Sequence, residues 1–158
     1  DMAGDAKAPT ALRIRALLDE WGAIEAPDLP TAALAQQALG GHDAYGSALR
    51  HSLSARINAA TLRERLSGEA WRALADLKEV LEIEAGQALP EAQLLGLAER
   101  ALSHIAALSG LAQENMNRTT GWHFVDLGRR IERAINTLSF ATRFAGDGAS
   151  AAARARPT

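Results

Sequence analysis

The sequence contains no cysteine. This absence excludes disulfide bonds, thiolate metal sites and a cysteine nucleophile, and it is typical of proteins from a reducing compartment. Aromatic residues are also few, with three Trp, one Tyr and three Phe in 158 residues. Ala and Leu supply most of the hydrophobic residues, whereas β-branched residues are sparse. The composition therefore predicts a helical protein.

The chain also lacks long apolar runs and a large net charge. Its apolar runs are only a few residues long, far below the roughly 20 residues of a membrane-spanning helix, and no charged-then-apolar leader opens it. The net charge is −2, from 17 basic and 19 acidic residues, so a basic surface for nucleic acid is missing. These features predict a cytoplasmic protein that neither crosses a membrane nor binds nucleic acid.

The spacing of apolar residues and of turn residues divides the chain into six helices. Two short helices are predicted at 11–21 and 31–39, and four longer ones at about 43–66, 67–86, 91–117 and 119–144. Thr31 and Ser67 are the predicted N-caps of the second and fourth helices. The pattern predicts an all-α fold, an antiparallel helical bundle of about four long helices plus two short N-terminal helices. We expect one bundle domain over 10–145, between disordered tails at 1–9 and 146–158.

The last helix carries a polar group beside a stripe typical of a core. The stripe consists of Phe124, Leu127, Gly128, Ile131, Ile135 and Leu138. On the adjoining face, at spacings i, i+3, i+4 and i+7, lie Arg129, Glu132, Arg133 and Asn136. Charge beside a core stripe costs free energy unless it is paired, so this face predicts an ion-pair partner or a ligand.

Two blocks of this sequence, taken together, resemble the Alpha-E family, a bacterial α-helical domain with a Glu-Arg motif. The first block is ARINAATLRERLSGEAW at 55–71. The second block comprises NMNR at 115–118, GWHF at 121–124, LGRRIERA at 127–134 and NT at 136–137. The resemblance covers roughly residues 43–144.

The resemblance implies a setting but no settled biochemical activity. Family members are expected to be partners of a circularly permuted ATP-grasp ligase, sometimes fused to it, and to occur beside transglutaminase-like proteins. The implied context is ATP-dependent amide-bond formation or peptide modification. The positions that match the family pattern are Arg56, Asn58, Arg63, Glu69, Trp71, Arg118, Gly121, Trp122, Gly128, Arg129, Glu132, Arg133 and Asn136.

The sequence departs from the family pattern at three places. Ile57 stands where many members have Glu, and Thr119 and Thr120 replace an acidic pair. Residues 11–21 do not reproduce the Gly-Arg and Glu-Arg-Ala motif that is expected near the start of the domain. The chain therefore resembles the later half or two-thirds of an Alpha-E unit.

The matching polar residues define a candidate site with two interpretations. Its members are Arg56, Asn58, Arg63, Arg118, Arg129, Glu132, Arg133 and Asn136. One interpretation is an ion-pair network between helices, with Glu132 paired to Arg56 or Arg63, which lie seven residues apart on one helix face. The other is an anion-binding or partner-binding face, because five Arg against two acidic residues between 118 and 143 leave positive charge unmatched.

No catalytic residue, metal site or cofactor is predicted. The histidines at 42, 51 and 104 lack the Glu at i−3 that bundle metal sites use, and no elbow glycines surround the serines. The leading hypothesis is an accessory, non-catalytic module of an ATP-grasp amide-ligase system. One alternative is an enzyme acting on an amide or peptide, with Glu132 as acid/base and Arg129 or Arg133 binding the anion. A second alternative is a signalling or oligomerisation module that forms a homodimer.

Overall fold

The computed structural model describes residues 9–61, 66–83, 87–115 and 120–154. These residues form six α-helices: α1 (Pro9–Glu20), α2 (Thr31–Gly40), α3 (Ala48–Thr61), α4 (Gly68–Leu81), α5 (Glu91–Asn115) and α6 (Thr120–Arg154). The described residues contain no β-strand, so the predicted all-α class is confirmed. Within this part of the chain, none of the helices is both apolar and long enough to span a bilayer.

The chain separates into two compact units, one at 18–117 and the other combining 1–17 with 118–158. In the first unit α2 packs against α3 and α5, while α4 also packs against α3 and α5. Four helices thus close a ring, and the predicted bundle is confirmed. Its membership differs from the expectation, since the short helix α2 is one of the four and α6 belongs to the other unit.

A leucine-rich core lies inside this ring. Its buried residues are Leu49, Leu77, Leu81, Ile83, Leu94, Leu97 and Ala101. On α4 and α5 these positions recur every three or four residues, which places them on one face of each helix. Burial of each leucine contributes about 1.5–3 kcal/mol. The amphipathic faces of α4 and α5 therefore supply most of the buried core residues. Toward the middle of α5, Leu102 and Ile105 are exposed.

One of the two predicted N-caps is present. The hydroxyl of Ser67 accepts a hydrogen bond from the Ala70 amide at 3.1 Å, which caps α4 as expected. Thr31 is not a cap, so that prediction was wrong. Pro30 occupies the N-cap position, and its carbonyl accepts from the Leu34 amide at 3.0 Å. The N-cap therefore lies one residue earlier than predicted, at a proline whose φ is restricted.

The third helix starts later than the predicted residue 43. The Gly46 amide donates to the Gly22 carbonyl at 2.9 Å, and this bond holds the backbone before the helix in a turn. The buried hydroxyl of Ser47 then accepts from the Arg50 amide at 3.2 Å and donates to the Gly41 carbonyl. A polar side chain that satisfies a free amide in this way marks a helix start. The helix therefore begins at Ala48.

The remaining helix ends also differ from the expectation in part. The fourth helix ends at Leu81 rather than near 86, and residues 84–86 lie outside the described residues. The fifth is continuous through both of its glycines, and the sixth runs to Arg154, past the predicted end near 144. Of the predicted tails at 1–9 and 146–158, residues 9 and 146–154 belong to helices, whereas 1–8 and 155–158 lie outside the described part of the chain.

A single glutamine of α2 holds the connection between α4 and α5. Its side-chain amide, at Gln36, donates through Nε2 to the Gln87 carbonyl, and its Oε1 accepts from the Leu89 amide at 3.1 Å. The glutamine and its partners are 51 and 53 residues apart in the chain. These two bonds satisfy polar backbone groups where the chain has left α4 and has not yet entered α5.

Candidate functional site

The apolar stripe of α6 is exposed. We define it as Phe124, Leu127, Ile131, Ile135 and Leu138, whose exposed fractions are 69%, 52%, 51%, 55% and 67%. The sequence pattern suggested a core face, and that expectation was wrong for this structure. Periodicity shows which side chains share a face, but not whether another element covers that face. The stripe therefore presents five large apolar side chains to solvent along one helix.

The predicted polar face lies beside this stripe. Arg129 is half-buried, and Glu132, Arg133 and Asn136 are exposed. Among the described residues Glu132 has no ion-pair partner, whereas Arg130 on the same helix donates to Asp126 at 2.7 Å. These charges remain close to solvent, so keeping them ionised costs little free energy.

The structure describes six of the eight candidate-site residues. Four of them share α6, while Arg56, half-buried, and Asn58, exposed, lie on α3 in the other compact unit. Arg63 and Arg118 lie outside the described residues. The pairing of Glu132 with Arg56 or Arg63 therefore stays a prediction.

Aromatic residues cluster at two places on α6. Near its start, the rings of Trp122 and His123 meet edge to face with centroids 5.1 Å apart, and Trp122 is half-buried. Further along, Phe140 stacks on Phe144 with centroids 4.3 Å apart. The guanidinium of Arg13 on α1 lies 5.6 Å from the Phe144 ring centroid, a cation–π contact inside this compact unit. The second cluster joins the two chain segments of the unit.

A second candidate surface is a groove between α4 and α5, which we call the α4–α5 groove. Its cavity has a volume of about 860 Å³, within the range of ligand sites. The carboxylates of Asp76 and Glu79 lie along α4 and that of Glu82 at its C-cap, whereas Arg100 and His104 lie along α5. The rest of the lining combines the apolar residues Val80, Ile83, Leu89 and Leu97 with Gln87, Gln93 and Gly96. None of the six predicted site residues that the structure describes lines this groove.

At one end of the groove, Lys78 forms an ion pair with Glu82 across one helical turn. The hydrogen bond from Lys78 lowers the pKa of the Glu82 carboxyl, and the charges of Lys78, His42 and Arg56 add to this effect against a smaller opposing contribution from desolvation. Arg56 thus contributes to the electrostatics of a carboxylate that lines the groove. Because the folded pKa is below the unfolded one, the pair stabilises the fold above the unfolded pKa, and this is lost as the pH falls through the folded pKa.

We expect the Lys78→Gln variant to raise the pKa of the Glu82 carboxyl toward its ordinary value, because its largest stabilising contact is removed. The measurement is the pH titration of the side-chain carboxyl signal by NMR in both proteins. An Arg72→Gln variant on the same helix serves as the control and should leave that titration unchanged. An unchanged Glu82 titration in Lys78→Gln would show that the ion pair is absent in solution.

Two further serine hydroxyls form hydrogen bonds within their own helices, which is a structural role. The hydroxyls of Ser52 and Ser103 donate to the carbonyls of Leu49 and Glu99 on their own helices. Within the described ranges no three His, Asp or Glu side chains come close enough together to hold a metal ion. The two surfaces above are therefore the candidates for function.

A sequence profile described as "a predicted alpha-helical domain with a conserved ER motif" matches residues 2–155. The chain belongs to the Alpha-E family. It is also 32% identical over 97 residues to uncharacterized proteins of Mycobacterium tuberculosis and Mycobacterium bovis. That alignment covers 59% of this chain and 11% of each mycobacterial protein. No solved structure matches the chain significantly.

The Alpha-E match confirms the resemblance and extends it beyond the expected 43–144. Glu-Arg occurs at 64–65, 99–100 and 132–133 in this chain, and the arginine of the second pair lines the α4–α5 groove. Sequence reasoning missed the groove residues. Their signal was present as helical spacing, since positions 76, 79 and 80 share one face of α4, and 93, 97, 100 and 104 share one face of α5.

Proposed function

We propose that this Alpha-E chain is a non-catalytic module that binds a partner protein through the apolar stripe of α6. The observation that supports this is the exposure of five large apolar side chains along 15 residues of one helix. Contiguous apolar surface of this kind marks protein interaction sites, because leaving it in water forgoes the free energy of burial.

The spacing of the stripe suits a partner helix. From Phe124 to Leu138, each position of the stripe follows the previous one after three or four residues. Two helices that pair along such a seam interdigitate their side chains. The polar face with Arg129 and Arg133 lies next to the seam, where charged residues set partner choice and orientation.

The partner proposed is a circularly permuted ATP-grasp ligase of an amide-forming or peptide-modifying system. The family relation supports this choice, since Alpha-E proteins resemble accessory partners of such ligases. Basic residues beside the stripe favour a ligase helix with acidic residues flanking its own apolar seam. In this proposal Glu132 and its neighbouring arginines select the partner and do no chemistry.

The test is a direct binding measurement with the recombinant ATP-grasp ligase from the same bacterium. We expect the double variant Ile131→Glu/Ile135→Glu to weaken binding at least tenfold, because two charges would have to be desolvated in the seam. Isothermal titration calorimetry with the purified 158-residue chain gives the dissociation constants. Both isoleucines are more than half exposed, so the fold should tolerate the changes.

Ile57→Glu is the matched control, since Ile57 is 69% exposed on α3 and lies outside the stripe. It should bind the ligase as tightly as the unmodified chain. Equal binding by the double variant, or no binding by the unmodified chain, contradicts the proposal. A concentration-dependent dimer in sedimentation that the double variant abolishes would assign the stripe to self-association instead.

A further inference from the structure

The α4–α5 groove is an open cavity of about 860 Å³ at the surface of the ring. Its floor is apolar, with Leu97 and Ile83 buried in the core beneath it. Gly96 lies in its lining, and a Cβ atom placed there would meet no other atom within 4 Å. The absence of a side chain at this helical position keeps the groove open, although glycine costs roughly 0.5–1 kcal/mol relative to Ala in a helix interior.

The two walls of the groove carry opposite charges, and the described residues form no ion pair from one wall to the other. Asp76 and Glu79 on α4 form no ion pair with another described residue, and neither does Arg100 on α5. Glu82, by contrast, is already bound to Lys78. The groove therefore offers acceptors for a cation along one wall and a donor for an anion along the other, with apolar surface between them.

We infer that the α4–α5 groove binds a short peptide with free termini. Its amine lies toward Asp76 and Glu79, and its carboxylate is held by Arg100, whose planar guanidinium can donate two parallel hydrogen bonds. An apolar side chain of the peptide lies over Gly96 on the floor that includes Val80 and Leu97. A ligand with one sign of charge would satisfy only one wall, so a zwitterion with an apolar centre is the class that fits. This inference does not depend on the proposed function, because the groove lies in the unit at 18–117 and the stripe in the other.

The test uses the tripeptide Ala-Leu-Ala with free termini and the full 158-residue chain. Binding is followed by chemical-shift changes of the backbone amides in ¹⁵N-labelled protein. We expect saturable binding by the unmodified chain and at least tenfold weaker binding by Gly96→Leu, whose added side chain starts from a Cβ atom in open space and occupies the groove. Gly110→Leu is the matched control, because it makes the same change on α5 at another position with open space, outside the groove. It should bind like the unmodified chain.

The charged ends are tested by blocking them one at a time. N-acetylated and C-amidated forms of the tripeptide should each bind about threefold to fivefold more weakly, the range of a partly exposed ion pair. In Arg100→Gln the free and amidated peptides should bind equally, since the group that distinguishes them is gone. This variant keeps the test decisive even if Gly96→Leu fails to fold.

Three outcomes would overturn the inference. They are the absence of saturable binding by the unmodified chain, unchanged binding by Gly96→Leu, and equal affinity for the free and blocked peptides. A free-peptide preference that survives in Arg100→Gln would also place the carboxylate elsewhere.

Discussion

Replacing Leu81 by Ala is expected to lower the free energy of unfolding by about 3–5 kcal/mol. The Leu81 side chain is 1% exposed at the end of α4 and belongs to the buried cluster with Leu49, Leu77 and Leu94. Its truncation removes the transfer free energy of the lost methyl groups and leaves a cavity that the four surrounding helices can only partly close. Urea unfolding followed by circular dichroism measures the change.

Leu102→Ala provides the matched control for this prediction. It makes the same chemical change on α5 at a side chain that is 65% exposed, and we expect a change within about 0.5 kcal/mol. Since small domains have only about 5–15 kcal/mol of stability, Leu81→Ala should remove a large part of it. Similar losses in the two variants would contradict the position of α4 in the ring.

Gly46→Ala is expected to destabilise the fold by about 3 kcal/mol, the upper range for an added group that the structure cannot accommodate. A Cβ atom at this position overlaps the Trp21 carbonyl oxygen, a backbone atom that cannot rotate away, and lies 2.8 Å from the Gly22 carbonyl carbon. Relief requires separating the two turns, which also breaks the hydrogen bond from the Gly46 amide to the Gly22 carbonyl. Thermal and urea unfolding both report this loss.

Gly22→Ala makes a useful comparison, because it changes the facing turn. Gly22 has a φ of +64°, a conformation that costs an L-residue about 1–2 kcal/mol. The atoms that a new Cβ would strike belong to the Tyr45 side chain, which is 71% exposed and free to rotate. We therefore expect a smaller loss than for Gly46→Ala. The reverse order would show that the turns are arranged differently in solution.

Local signals in the sequence predicted local structure well. The sequence around Ser67 has a hydroxyl at the cap position and an acidic residue in the first turn, and both effects act within four residues. The capping hydrogen bond to the Ala70 amide is present. The same holds for the buried face of α4, where Leu77 and Leu81 follow the helical period. These features need no information from distant parts of the chain.

Contacts between distant residues account for the failures. Residues 43–47 can form a helix by propensity, but the Gly46 amide is bound to Gly22, which lies 24 positions earlier. A single-helix pattern does not contain that contact. The same limit applies to the stripe of α6, where the spacing correctly grouped Ile131 with Ile135 and could not show that both face solvent.

The sequence predicted the polar face of α6 as a candidate site but not the α4–α5 groove. The polar face of α6 was found because its residues follow one another at helical spacing on one helix, and because the family resemblance marked them. The α4–α5 groove depends on two helices meeting at a particular distance, so Asp76 and Arg100 share a cavity only in the folded chain. The acidic residues of α4, such as Asp76 and Glu79, predict only a charged helix face, and their charge does not show which residues lie opposite that face.

The hydrogen bonds of Gln36 determine how the chain can be divided. A fragment that contains only α4, the following connection and α5 holds all of the described residues that line the groove. It lacks the amide that binds Gln87 and Leu89 from α2, so the rim of the groove would have no support in such a fragment. The smallest autonomous piece that can present this surface therefore starts no later than Thr31. A fragment that is excised, synthesised or grafted onto another scaffold to present the groove must therefore include α2.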